Sequence, residues 1–191
     1  MKMGRSQNLF TVALVAATLM GLGSIFASAA SAAPLVLGSG DADSATFALG
    51  NKLVKAIALD VDGVTVNSRV TKGDKDNLKL LGKKKRGIDL GFATLGAAKK
   101  AWNAEGKKQN RKFKGLLAIA KNKKGKVLYL LAGKKVKKDQ AKAIVQYLLS
   151  AKGKKRLKKL KAVVNLSSGA AEFKAAGISV HAGAAAAHGA M

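Results

Sequence analysis

The chain contains two histidines, His181 and His188, and no cysteine. Thiolate nucleophiles, disulfide scaffolds, Cys-ligated zinc and iron–sulfur clusters are therefore excluded. The histidines stand in an Ala/Gly-rich stretch with no carboxylate beside them, so no metal and no cofactor is expected. Acid–base catalysis would need carboxylates converging on one pocket. Asp41, Asp43, Asp74 and Asp76 instead fall in turn sequences, where capping is the usual task of an aspartate. Asp89 lies inside the apolar run Ile88-Asp89-Leu90-Gly91-Phe92, where it can pair with a lysine. These residues point away from an enzyme.

What remains is anion capture, in two forms. Three turns, Gly38-Ser39-Gly40-Asp41, Thr71-Lys72-Gly73-Asp74 and Ala93-Thr94-Leu95-Gly96, each join an apolar run to a helical one. At such a turn, helix N-terminal N–H groups and flexible glycines can cradle a carboxylate. Ser39, Gly40, Thr71, Gly73 and Thr94 are the candidate contacts, although the same residue types serve equally as ordinary turn and cap residues.

The second form is electrostatic. The 191 residues hold 36 Lys+Arg against 10 Asp+Glu, a formal charge of +26. Residues 34–81 carry six basic and six acidic side chains, whereas residues 82–161 carry 27 basic against three acidic. Within that basic stretch Lys83, Lys84, Lys85, Arg86, Lys154, Lys155 and Arg156 are the candidate polyanion contacts. Lysines outnumber arginines 31 to five, and a lysine is a hydrated point charge without a planar fork. Phe92, Trp102, Phe113, Tyr129 and Tyr147 fall at positions that suit a core, which disfavours stacking on bases and sequence-specific nucleic-acid reading. An anionic envelope surface fits better as a partner, and solvated helix faces are the plain alternative use of these lysines.

Period and punctuation supply the elements that would position these groups. Leu35-Val36-Leu37 reads as a buried strand, followed by a helix capped by Asp43 or Ser44 and carrying Leu49, Leu53, Val54 and Ile57. Val64-Thr65-Val66 is a second strand, followed by a helix with Leu78 and Leu81 that closes at Gly82. Residues 88–92 form a third strand, leading into a helix over 95–104. Residues 116–120 and 127–131 are strands flanking a lysine-rich turn. Ile144, Val145, Leu148 and Leu149 mark one more helix, and Leu157, Leu160 and Val164 another. The alternation predicts an α/β fold with a mainly parallel sheet flanked by helices.

Lys2 and Arg5, the apolar stretch over 9–26 and the small residues over 27–33 have the form of a secretory signal peptide, with an uncleaved anchor as the alternative. The expected organisation is a leader over 1–33, one domain over 34–184 and an Ala/Gly-rich tail over 185–191, in a periplasmic or secreted protein.

Leu35-Val36-Leu37-Gly38-Ser39-Gly40, Thr46-Phe47-Ala48-Leu49-Gly50, Thr71-Lys72-Gly73 leading to Asn77-Leu78-Lys79-Leu80-Leu81, and Ile88-Asp89-Leu90-Gly91-Phe92 together resemble the first lobe of the TAXI family. That family comprises solute-binding proteins associated with TRAP transporters. Gly177-Ile178-Ser179-Val180-His181-Ala182-Gly183-Ala184 is similar to its closing segment. The resemblance implies a periplasmic-binding-protein-like type II fold, in which two lobes normally clamp a small organic anion, and a TRAP-type permease or sensor as partner. The chain has room for a single lobe, so a partner or a second copy in a homo-oligomer would have to close the site. By position the resemblance adds Thr46 and Phe47 to the candidate ligand contacts, although they and Ala48 stand where the family commonly has two tyrosines and a proline.

Overall fold

The computed structural model describes residues 33–81, 83–104, 109–122, 124–158 and 163–189. Most of the expected leader, residues 1–32, lies outside that set, as do Gly82, Lys107, Lys108, Lys123, Lys159, Leu160 and Lys161.

The first strand, β1 (Leu35–Gly38), points Leu35 and Leu37 into one core. It hands over to the 16-residue helix α1 (Ala45–Asp60), whose first turn is closed by Ser44 Oγ accepting from Phe47 N at 3.0 Å. Leu49, Leu53, Ala56 and Ile57 recur at helical spacing and are buried on one stripe. The strand β2 (Val66–Arg69) is followed by α2 (Asp74–Leu81), and β3 (Leu90–Thr94) runs directly into α3 (Leu95–Trp102). A hairpin of β4 (Phe113–Lys121) and β5 (Val127–Gly133) comes next. Beyond it lie α4 (Lys138–Leu149), α5 (Ala151–Lys158), β6 (Val163–Ser167), α6 (Ala170–Ala175) and α7 (Ala182–His188).

One six-stranded sheet has the order β2-β1-β3-β5-β4-β6. Its two sides differ. β2, β1 and β3 are mutually parallel, as the strand–helix alternation predicts, whereas the β3–β5, β5–β4 and β4–β6 pairings are antiparallel. The sheet is therefore mixed. A two-strand hairpin after α3 needs no crossover helix, so the chain turns back on itself and β5 enters between β3 and β4. Asp89 belongs to this framework: its Oδ2 accepts from Val36 N at 2.9 Å, which extends the β1–β3 pairing by a side chain.

Helices cover both faces. α1, α4, α5 and α7 share one core with Leu37, Leu90, Phe92 and Leu130, while α2, α3 and α6 share the other with Ala93, Phe113, Leu131 and Phe173. Trp102 sits half-buried at the rim of the second core, edge-on to Phe113 at 5.4 Å between ring centroids.

Two expectations are corrected. The helix through Leu157 is described as far as Lys158, and the segment containing Val164 is strand β6, pairing with β4 at an edge of the sheet. The Ala-rich segment expected as a tail from residue 185 is, as far as Gly189, the helix α7 and its cap, with Ala184 and Ala187 fully buried. Small residues let this helix come close to α4: a Cβ at Gly183 would stand 2.1 Å from the Lys138 carbonyl oxygen. Among the described residues no helix is long and apolar enough to cross a membrane.

Candidate functional site

In the order β2-β1-β3, successive strands leave β1 on opposite sides, so the carboxyl ends of β1 and β3 flank a topological switch point, the usual ligand position of a parallel sheet. The three turns meet there. Gly40, at φ +89°, donates its N–H to Thr71 Oγ1 at 2.9 Å, and Thr71 N donates back to Gly40 O at 2.9 Å. Asp74 follows Gly73, at φ +91°, and its Oδ2 accepts from both Thr94 N and Thr94 Oγ1 at 2.8 Å. Gly40, Thr71, Gly73 and Thr94 thus form one connected edge.

The same bonds use up the groups a ligand would need. Ser39, fully buried, shares a hydrogen bond with Ser68 Oγ at 2.8 Å and donates to Arg69 O at 3.0 Å. The Thr71 hydroxyl is held by Gly40, and the Thr94 hydroxyl by Asp74, which already puts a carboxylate at the third turn. Thr94 consequently makes no side-chain cap for α3.

Two clefts open beside this edge, one on each side of the β4–β5 turn. The first, about 220 Å³, lies at the start of α1 between Ser44, Ala45 and Thr46 on one wall and Lys121, Asn122 and Lys124 on the other. Phe47 is half-buried and does not line it. The second, about 560 Å³, brings Thr94 and Gly96 together with Lys100, Lys126 and Tyr129. Thr46 and Thr94 therefore open on different clefts.

The basic candidates also divide. Lys83 and Lys84 line a cleft with Lys112, Lys134 and Lys135 beside Gly133, the far end of β5. Lys85 and Arg86 are exposed in the same loop, where Arg69 Nη1 donates to Arg86 O at 2.9 Å. Lys154 and Lys155 belong to α5 and line a trough of about 1120 Å³ with Lys121, Lys158, Val127, Ser167 and Glu172. Val127 begins β5 and Gly133 ends it, so the two lysine groups sit at opposite ends of the sheet. They form no common face.

Arg156, the last of the candidates, points to a cluster that sequence reading missed. Asp60, at the end of α1 with its side chain 3% exposed, accepts from Lys152 Nζ at 2.8 Å, Arg156 Nε at 3.1 Å and Tyr147 Oη at 2.8 Å. Hydrogen bonds from Lys152, Tyr147 and Arg156 hold the Asp60 carboxyl far below the usual carboxylate range. Burial, with the neighbouring Asp60 charge, pushes the Tyr147 hydroxyl up to about 12. These are the ion pairs among the described residues, so the trough lysines have no carboxylate partner there. The one sequence signal was the spacing of Lys152 and Arg156, four apart on one helix face.

The histidines act on backbone. His181 Nδ1 accepts from Gly183 N at 3.1 Å, capping α7, and its Nε2 lies 3.1 Å from Val136 O. Burial depresses its pKa, the neutral form being the one that caps. His188 Nε2 lies 3.3 Å from Leu116 O. No cluster of three metal-ligating side chains occurs among the described residues.

No protein-family model and no curated protein matches this chain.

Proposed function

We propose that this protein binds polyanions through the lysine trough between the β4–β5 turn and α5, the α/β core serving as its scaffold. The observation that carries this reading is the convergence of Lys121, Lys154, Lys155 and Lys158 on one trough, with none of them paired to a carboxylate among the described residues. Like charges held this close repel, and a chain gains nothing in stability from gathering them unless an anion neutralises them. Among the described residues, the single acid lining the trough is Glu172. A leader over residues 1–33 would deliver the protein to an anionic envelope polymer as its partner.

A second reading has its own support. The meeting of the three turns at the switch point is the arrangement a single solute-binding lobe of the TAXI type requires, with Thr46 as the hydroxyl facing a cleft, a small organic anion as ligand and a TRAP-type permease or sensor as partner. One pair of measurements separates the two. Retention on immobilised polyanion should fall steeply as salt rises, since displaced counterions are recovered. A panel of dicarboxylates should leave the melting temperature unchanged. A salt-insensitive shift with one dicarboxylate, together with shallow retention, would reverse the order of the readings.

A further inference from the structure

Lys155 lines two clefts, the trough and a neighbouring one of about 410 Å³ bounded also by Lys52, Lys152 and Arg156. We propose that this second cleft is a phosphate-binding subsite, in which Arg156 recognises a phosphomonoester and Asp60 is the positioning residue behind it. The proposal rests on the polyanion reading and names the chemistry that surface selects.

Three features distinguish this cleft from the lysine surface around it. First, among the described arginines Arg156 alone pairs with a carboxylate. Asp60 takes it through Nε at 3.1 Å, which restrains the guanidinium and leaves Nη donors over for a ligand. A fork restrained in this way suits two parallel hydrogen bonds to a tetrahedral oxyanion, which a lysine cannot make. Second, Asp60 is itself anchored by Tyr147 and Lys152, so the fork is held before any ligand arrives. Third, the cleft sets four cations against the one carboxylate of Asp60. That excess favours a dianion, and a phosphomonoester carries about −1.5 to −2 at pH 7, more than a carboxylate or a phosphodiester. The large exposed hydrophobics among the described residues are Leu59 and Val70, which gives a lipid bilayer little to hold.

The test is calorimetric titration of the full chain with inorganic phosphate at constant ionic strength, repeated with dimethyl phosphate as the diester probe. Saturable binding with one phosphate per chain is expected. Arg156→Lys, which keeps the charge and loses the fork, should weaken it about tenfold or more. Lys52→Gln, on the opposite wall, should weaken it about three- to tenfold. The double variant Lys154→Gln/Lys158→Gln, in the trough alone, should stay within about twofold of the parent. Dimethyl phosphate should bind more weakly than phosphate. Parent-like binding by Arg156→Lys, equal loss in the trough double variant, or equal affinity for the diester overturns the subsite. A parent retained by polyanion but indifferent to Arg156→Lys sinks the subsite alone. A parent that binds phosphate but is not retained sinks the trough and leaves the subsite standing.

Discussion

At the carboxyl ends of β1, β2 and β3, Ser39, Thr71, Asp74 and Thr94 take their hydrogen bonds within this edge of the sheet. Along the β4–β5 turn and α5, Lys121, Lys154, Lys155 and Lys158 find no carboxylate to pair with among the described residues. One sheet carries both regions. In the first, a buried or half-buried polar group must be satisfied internally because water does not reach it fully. In the second, exposed ammonium groups are satisfied by water until an anion displaces it. Polar residues gathered at a strand end are therefore no measure of a binding site until their hydrogen bonds are traced, and the outward-facing chemistry here belongs to the basic half.

If that contrast is right, variants of the first region cost stability and variants of the second cost binding. The largest loss is expected for Asp74→Ala, which strips two hydrogen bonds from Thr94 and a negative charge from the first turn of α2. About 2–3 kcal/mol should disappear in urea unfolding, with polyanion retention unchanged. Thr71→Val comes next: the buried Gly40 N–H loses its acceptor, at a cost of about 1–2 kcal/mol.

A smaller effect should follow acidification. The neutral His181 caps α7, and because its folded pKa is depressed the unfolded chain takes up the proton first. Stability from this residue is thus complete above about 6.5, the value of an unburied imidazole, and is lost as pH falls through the folded value. His181→Asn should abolish that step in a urea titration across pH. The contribution of Asp60 has the same sign and is present above 3.8, so it fails only in stronger acid. Smallest of all should be the stability change for Lys154→Gln/Lys158→Gln, within about 0.5 kcal/mol, because both side chains are exposed.

The legible parts of the fold were those with local signatures. Ser44, one of two caps expected for α1, the buried stripe Leu49-Leu53-Ile57, and strands at β1 and β3 could be read from period and punctuation, whereas the strand expected over Val64-Thr65-Val66 shares only Val66 with β2. Which strands lie side by side could not, because β5 entering between β3 and β4 is decided by tertiary contacts and leaves no local mark. β6 was hidden because Leu157 and Val164 are spaced as on one helix, although Val164 lies in a strand paired with β4. α7 was hidden for a different reason. Alanine and glycine give no amphipathic contrast, yet their small size is what allows the close approach to α4. As for the site, the turn residues were found but their mutual hydrogen bonds were not. The Asp60 cluster joins residues some 90 positions apart, beyond the reach of any spacing rule.

The most direct measurement is the salt dependence of polyanion retention for two variants with the same change in charge. One replaces Lys121, Lys154, Lys155 and Lys158 by glutamine, in the trough. The other replaces Lys83, Lys84, Lys134 and Lys135, at the opposite end of the sheet. With the trough as the binding surface, the first variant should lose about three to four units of slope in log affinity against log salt, and the second less than about one. Equal losses in the two variants would contradict the account, because net charge alone would then explain the binding.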